Sequence, residues 1–163
     1  MTCIGGVAQA DIVRYGVGDA LPDLTTTTLD GGTFRARDPG GRPTVLVFLL
    51  PWCEAYFKTS RPELSQSCRQ VREQVALLSG RGERVRWLGV ASGLWSTPDE
   101  LREYEASNAV RMPLTMDESG EWFRAFDVMH PPTIVIADAA GKIVRRVEGF
   151  DAGVGAEIER LAN

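Results

Sequence analysis

Cys53 is the residue in this chain best situated to react. It directly follows an apolar run, Thr44 to Leu50, and opens a segment of helical character. A thiol where a strand turns into a helix meets unpaired backbone N–H groups and the positive end of the helix dipole, and both favour the nucleophilic thiolate. Trp52 can shield one side of it, while the carboxylate of Glu54 opposes a second negative charge nearby. Other chemistry is sparse. The three cysteines make neither a disulfide scaffold nor a paired zinc spacing. His130 is the single histidine, which excludes a histidine-rich metal site, and no G-x-S-x-G nucleophile elbow accompanies it.

Cys68 is the obvious partner to consider. With Leu64, Val71, Val75 and Leu78 it forms one apolar stripe at steps of three and four, so it is expected to face the core as a structural residue, with Arg69, Arg72 and Glu73 pointing away. Continuous helix from Cys53 would put Cys68 roughly 22 Å off, beyond the ~7 Å Cα limit for a disulfide. A kink at Pro62 would shorten this, but not enough without local unfolding. Cys3, on an N-terminal segment able to swing, stays open as a partner; otherwise Cys53 is expected to act alone.

The elements around Cys53 follow from pattern. Leu24 to Leu29 and Thr33 to Arg35 flank Asp30-Gly31-Gly32, a hairpin signal. The run from Thr44 suits a central strand buried on both faces. Arg84 to Ala91 predicts a second core strand, and Ser96-Thr97-Pro98-Asp99-Glu100 a helix start with a hydroxyl cap, early proline and acids near the positive dipole end. A short strand at Leu114–Met116 and a short helix at Ser119–Phe126 come next. Thr133–Ala137 and Ile143–Val147 form a hairpin, and Gly153–Leu161 a closing helix. The order is an N-terminal β-hairpin extension, then β-α-β-α-β-α-β-β-α. The expected class is α/β, with a central mixed sheet flanked by helices on both faces.

Several of these segments resemble the thioredoxin-like superfamily, specifically its redoxin branch of AhpC/TSA- and TlpA-like proteins. Leu50-Pro51-Trp52-Cys53-Glu54-Ala55-Tyr56 is similar to the family's W-C-x-x-C site, Gly18 to Asp23 to its leading segment, Phe126 to Thr133 to its V-x-x-P-T, and Asp138 to Val144 to its D-x-x-G-x-I-V hairpin. The resemblance implies a thioredoxin-like fold, a bacterial source and a cis-proline at Pro132 lying against Cys53. It also implies that the backbone of Pro131 meets an extended polypeptide. The chain departs from the pattern at Tyr56, which occupies the second cysteine position, and at Val47, where thioredoxins proper carry a buried carboxylate. The Cys53 to Pro62 spacing is one residue longer than usual, and the peroxiredoxin P-x-x-x-T-x-x-C is missing.

Three functions follow. The first is a thiol-disulfide redox protein acting through Cys53, supported by Trp52, Tyr56 and Pro132, with an outside thiol resolving the product; protein or small-molecule thiols and disulfides are the partners. Its incomplete C-x-x-C leaves its standing as an enzyme open. The second is a non-catalytic binding module using Pro131, Pro132 and Trp95, the tryptophan lying on a loop where this fold meets partners. The third, from a looser resemblance to Sco-like proteins, is a copper carrier using Cys53, His130 and Met129. The leading reading calls for no cofactor or metal. At 163 residues, with net charge −4 and no basic cluster, the chain suits one domain, gives no sign of nucleic-acid binding and has no membrane-length apolar run. The domain is expected over 16–163. Residues 1–15 form an N-terminal segment in which Ala8-Gln9-Ala10 resembles the end of a cleaved export signal, implying a periplasmic or exported protein; otherwise a cytoplasmic one is expected.

Overall fold

The computed structural model describes residues 13–163. Cys3 and the Ala8-Gln9-Ala10 export motif lie outside them. A small antiparallel hairpin, β1 (Thr25–Thr27) and β2 (Thr33–Arg35), turns through Gly31 at φ +86°. The main sheet holds β3 (Thr44–Leu49), β4 (Arg86–Ser92), β5 (Leu114–Asp117), β6 (Thr133–Ala137) and β7 (Ile143–Glu148) in the order β5-β4-β3-β6-β7. Here β3 and β4, and β4 and β5, pair parallel, while β6 runs antiparallel to both β3 and β7. This is the expected mixed sheet with an N-terminal hairpin.

Every residue of β3 is buried. Its side chains alternate between two cores. Val45, Val47 and Leu49 pack with Val71, Val75, Leu101, Val154 and Ile158, which belong to α2 (Pro62–Ser79), α3 (Pro98–Ser107) and α5 (Val154–Ala162). Leu46 and Phe48 pack on the opposite side with Phe34, Trp122, Phe123 and Phe126, from the hairpin and around α4 (Glu121–Ala125). Trp87 and Trp122 are thus core residues, whereas Trp95 stands out in solvent. The start of α3 carries a full capping box: the Thr97 hydroxyl accepts from the Glu100 N–H and the Glu100 carboxylate accepts from the Thr97 N–H.

The segment after β3 differs from expectation. It holds two helices, α1 (Cys53–Phe57) and α2, separated by a turn over residues 58–61. Arg61 takes an extended φ of −144°, and Pro62, which lacks an N–H and fixes φ, starts a new helix at its first turn. The extra residue before Pro62 supplies the slack for this reversal.

Gly93 follows β4 and leads into the loop carrying Trp95. A Cβ there would stand 2.6 Å from Glu118 Cα and 2.8 Å from the Asp117 carbonyl oxygen, both backbone atoms with little room to yield. Gly93→Ala is expected to cost about 1–3 kcal/mol through this overpacking, read as a lowered urea midpoint; an unchanged midpoint would show that the backbone can move aside.

Candidate active site

Sheet pairing assembles the site. Phe48 of β3 opposes Thr133 of β6, so the residues leaving the carboxyl end of β3 lie beside those entering β6. Parallel pairing of β3 with β4 brings the Ser92–Trp95 loop to the same edge. Three loops therefore meet there: Leu50–Cys53, Ser92–Trp95 and Met129–Pro132. The Pro131–Pro132 bond is cis, as the resemblance implies, and Pro132 is buried and lines a cavity of about 20 Å³ together with Cys53. That volume is room for about one water.

Cys53 and Cys68 form a disulfide, with their Cα atoms 6.3 Å apart. The expected separation of roughly 22 Å assumed one continuous helix. The turn at 58–61 removes that assumption and lets α2 fold back along α1. Cys68 does belong to the buried stripe with Val71, Val75 and Leu78, but the stripe's first buried turn faces Cys53 as well as the core. Both cysteines are well covered, at 2% exposure for Cys53 and 9% for Cys68.

Arg72, which the periodicity places off the apolar stripe, reaches α1 and not solvent. Its guanidinium grips the Glu54 carboxylate in a two-point fork, Nε to Oε2 at 2.7 Å and the second nitrogen to Oε1 at 3.0 Å. The charge that would oppose a Cys53 thiolate is thereby offset. Donating hydrogen bonds to the Glu54 carboxylate raises the Arg72 pKa above its ordinary value. Val47, Glu54, Cys68, Arg72 and Tyr104 all line the cavity with Cys53. Burial pushes the Tyr104 hydroxyl up to about 12, with Arg72 opposing and Glu54 adding to the shift. The i, i+4 step from Cys68 to Arg72 is the sequence signal that could have found the arginine.

The remaining predicted residues spread around the rim. The Trp52 indole N–H donates to the Trp95 carbonyl at 2.7 Å, tying the Cys53 loop to the loop after β4. Tyr56 is exposed, and its ring packs edge-on against Trp52 and Phe57, with centroids 5.2 and 4.9 Å away. His130 and Met129 are exposed on the loop before β6, where the His130 carbonyl accepts from the Thr133 hydroxyl. A second cleft, about 260 Å³, runs between Leu94, Trp95, Phe123, Val128 and Met129. Among the described residues no group of three His, Cys, Asp or Glu side chains is arranged to hold a metal, and no helix is long and apolar enough to cross a membrane.

An α/β sheet with a cysteine at the carboxyl end of its central strand and a cis-proline beside it defines the thioredoxin-like class. The AhpC/TSA family model matches residues 17–146, and the chain belongs to that family. Among characterised relatives it is similar to the thiol-disulfide oxidoreductase ResA of Bacillus thuringiensis subsp. konkukian, 21% identical over 133 residues, covering 82% of this chain and 70% of the relative. Its fold is shared with the thioredoxin domain of a thiol-disulfide oxidoreductase from Bacteroides vulgatus (TM-score 0.72, 15% identity, 92% of this chain and 100% of that one). It is shared too with a secreted Mycobacterium tuberculosis disulfide oxidoreductase homologous to DsbE of E. coli (TM-score 0.67, 20% identity, 85% and 96%).

Tyr104 gives the site a pH signature. Its folded-state pKa of about 12 lies above the ordinary 10.0, so above pH 10 the unfolded chain loses this proton first and stability falls as pH rises to about 12. Tyr104→Phe is expected to flatten that fall in urea midpoints and to remove the highest-pH step of tyrosinate absorbance. An unaltered pH profile would mean that Tyr104 is not shielded.

Proposed function

We propose that this chain is a thiol-disulfide oxidoreductase in which Cys53 attacks and Cys68, rather than an outside thiol, resolves. The observation that carries the reading is the Cys53–Cys68 disulfide at the carboxyl end of β3, lining one cavity with Pro132. In the reducing direction the Cys53 thiolate attacks one sulfur of a partner disulfide, forming a mixed disulfide and releasing the other sulfur as a thiolate. The Cys68 thiolate then attacks the Cys53 sulfur and releases the second partner thiol. The protein is left with the bond seen here, and an outside dithiol reopens it, taking up the oxidised state itself. Position 56 needs no sulfur in this scheme. The partner is a disulfide-bearing polypeptide, held by the Pro131 backbone and by an apolar side chain in the cleft beside Trp95. The names of the oxidoreductase relatives support this partner class, and the secreted relative supports an exported location.

Burial of both sulfurs favours a second reading, a binding module in which the disulfide is a fixed staple. The two readings separate by potential: couples that exchange lie between about −270 and −120 mV, whereas staples lie below about −300 mV.

Trapping tests the mechanism. Challenged with an oxidised, disulfide-bonded peptide, Cys68→Ser is expected to accumulate a mixed disulfide at Cys53, seen by intact mass, at least tenfold above wild type or Cys53→Ser. Greater trapping on Cys53→Ser would reverse the roles, and no trapping on Cys68→Ser would leave the staple.

A further inference from the structure

Ser65, Cys68 and Arg72 are spaced three and four apart, so they rise along one face of α2. All three reach the first two residues of α1. The Ser65 hydroxyl donates to the Glu54 carbonyl at 2.7 Å, Cys68 is bonded to Cys53, and Arg72 forks onto the Glu54 carboxylate. Only the middle link is lost on reduction. A five-residue α1 cannot sustain itself as a helix in water, and the turn at 58–61 allows it to swing once the sulfurs part.

We propose that the Glu54–Arg72 ion pair is a clamp that holds α1 against α2 in the dithiol state, keeps the two thiols within bonding reach and so sets the equilibrium for closing the disulfide. The clamp rests on the preceding reading of Cys53 and Cys68 as a redox couple. Its geometry suits the task. The fork fixes direction as well as distance, and its side chains are 22% and 31% exposed, shielded in part but still within reach of salt. The two carboxylate contacts lie one residue along from Cys53 and one turn along from Cys68, and all four residues line the same cavity. Holding two groups together raises their effective concentration, which is the quantity that governs ring closure.

A field effect on the sulfur predicts something different. Glu54→Gln removes a negative charge near Cys53 and favours its thiolate; Arg72→Met exposes that charge and disfavours it. The two variants would then shift the thiol in opposite senses. A clamp is lost equally from either side.

The test uses the full chain in glutathione buffers at pH 7. One glutathione disulfide takes two electrons from the protein dithiol, yielding the protein disulfide and two glutathione thiols; the fraction closed is read by alkylation and mass. Glu54→Gln and Arg72→Met are each expected to lower the closing constant about fivefold, a potential about 20 mV less negative at 29.6 mV per decade. The exchanged pair E54R/R72E is expected to recover most of the loss. Raising salt is expected to weaken closure in the unaltered chain and leave Glu54→Gln unchanged, which tests the clamp without relying on a variant's folding. Closing constants within twofold of wild type, opposite shifts in the two variants, or no recovery in the exchanged pair would each overturn the clamp. Failure of the unaltered chain to close any Cys53–Cys68 bond would instead overturn the redox couple on which it rests.

Discussion

Strand β3 is hydrogen-bonded on both sides, parallel to β4 and antiparallel to β6, and every one of its residues is buried. That pairing constrains all the rest. The parallel neighbour delivers the Trp95 loop to the carboxyl end of β3, and the antiparallel neighbour delivers the cis-proline to the same end. Cys53 follows β3 after only three residues, so it has little freedom to lie elsewhere. Apolar alternation keeps the register fixed, because a one-residue slip would exchange Val45, Val47 and Leu49 for Leu46 and Phe48 between two differently shaped cores.

Upon that frame the reversal at residues 58–61 adds a second constraint. A helix continuing through it would carry Cys68 away from the sheet edge. Because the chain instead restarts at Pro62, the face of α2 bearing Ser65, Cys68 and Arg72 lies along α1. A bond closing a loop of this size contributes about 3 kcal/mol by restricting the unfolded chain. The covalent and ionic links thus join the same two helices side by side, one responsive to redox state and the other to salt. Glu54, which would oppose an anionic sulfur if it stood alone, has its charge met by Arg72.

Much of this was legible in the sequence. The continuous apolar run of β3, the glycine turns of both hairpins and the Thr97-Pro98-Glu100 helix start each have one physical solution, and strands Thr33–Arg35 and Thr133–Ala137 have the bounds their patterns predict. Cys53 followed from its place after β3, whereas the cis-proline at Pro132 came from the family resemblance. The partnership of Cys68 followed from neither. Periodicity correctly gave the buried side of α2, but a buried residue near a helix start can face the core and a neighbouring helix at once, and the pattern does not say where the preceding helix ends. The signal lay in Pro62 and the extra residue before it, which mark a restart. The contact of Arg72 was missed for the same reason: its neighbour was a second helix, and so it lies against Glu54 instead of solvent.

The chemistry of the site requires Cys53 and Cys68 to be one couple. A peptide map of the oxidised native protein, digested without reduction, tests it most directly. A single linked species joining the peptides of Cys53 and Cys68 is expected, lost on mild reduction and regained on reoxidation. A map in which Cys68 carries a free thiol while Cys53 is blocked by glutathione or joined to Cys3 would contradict it.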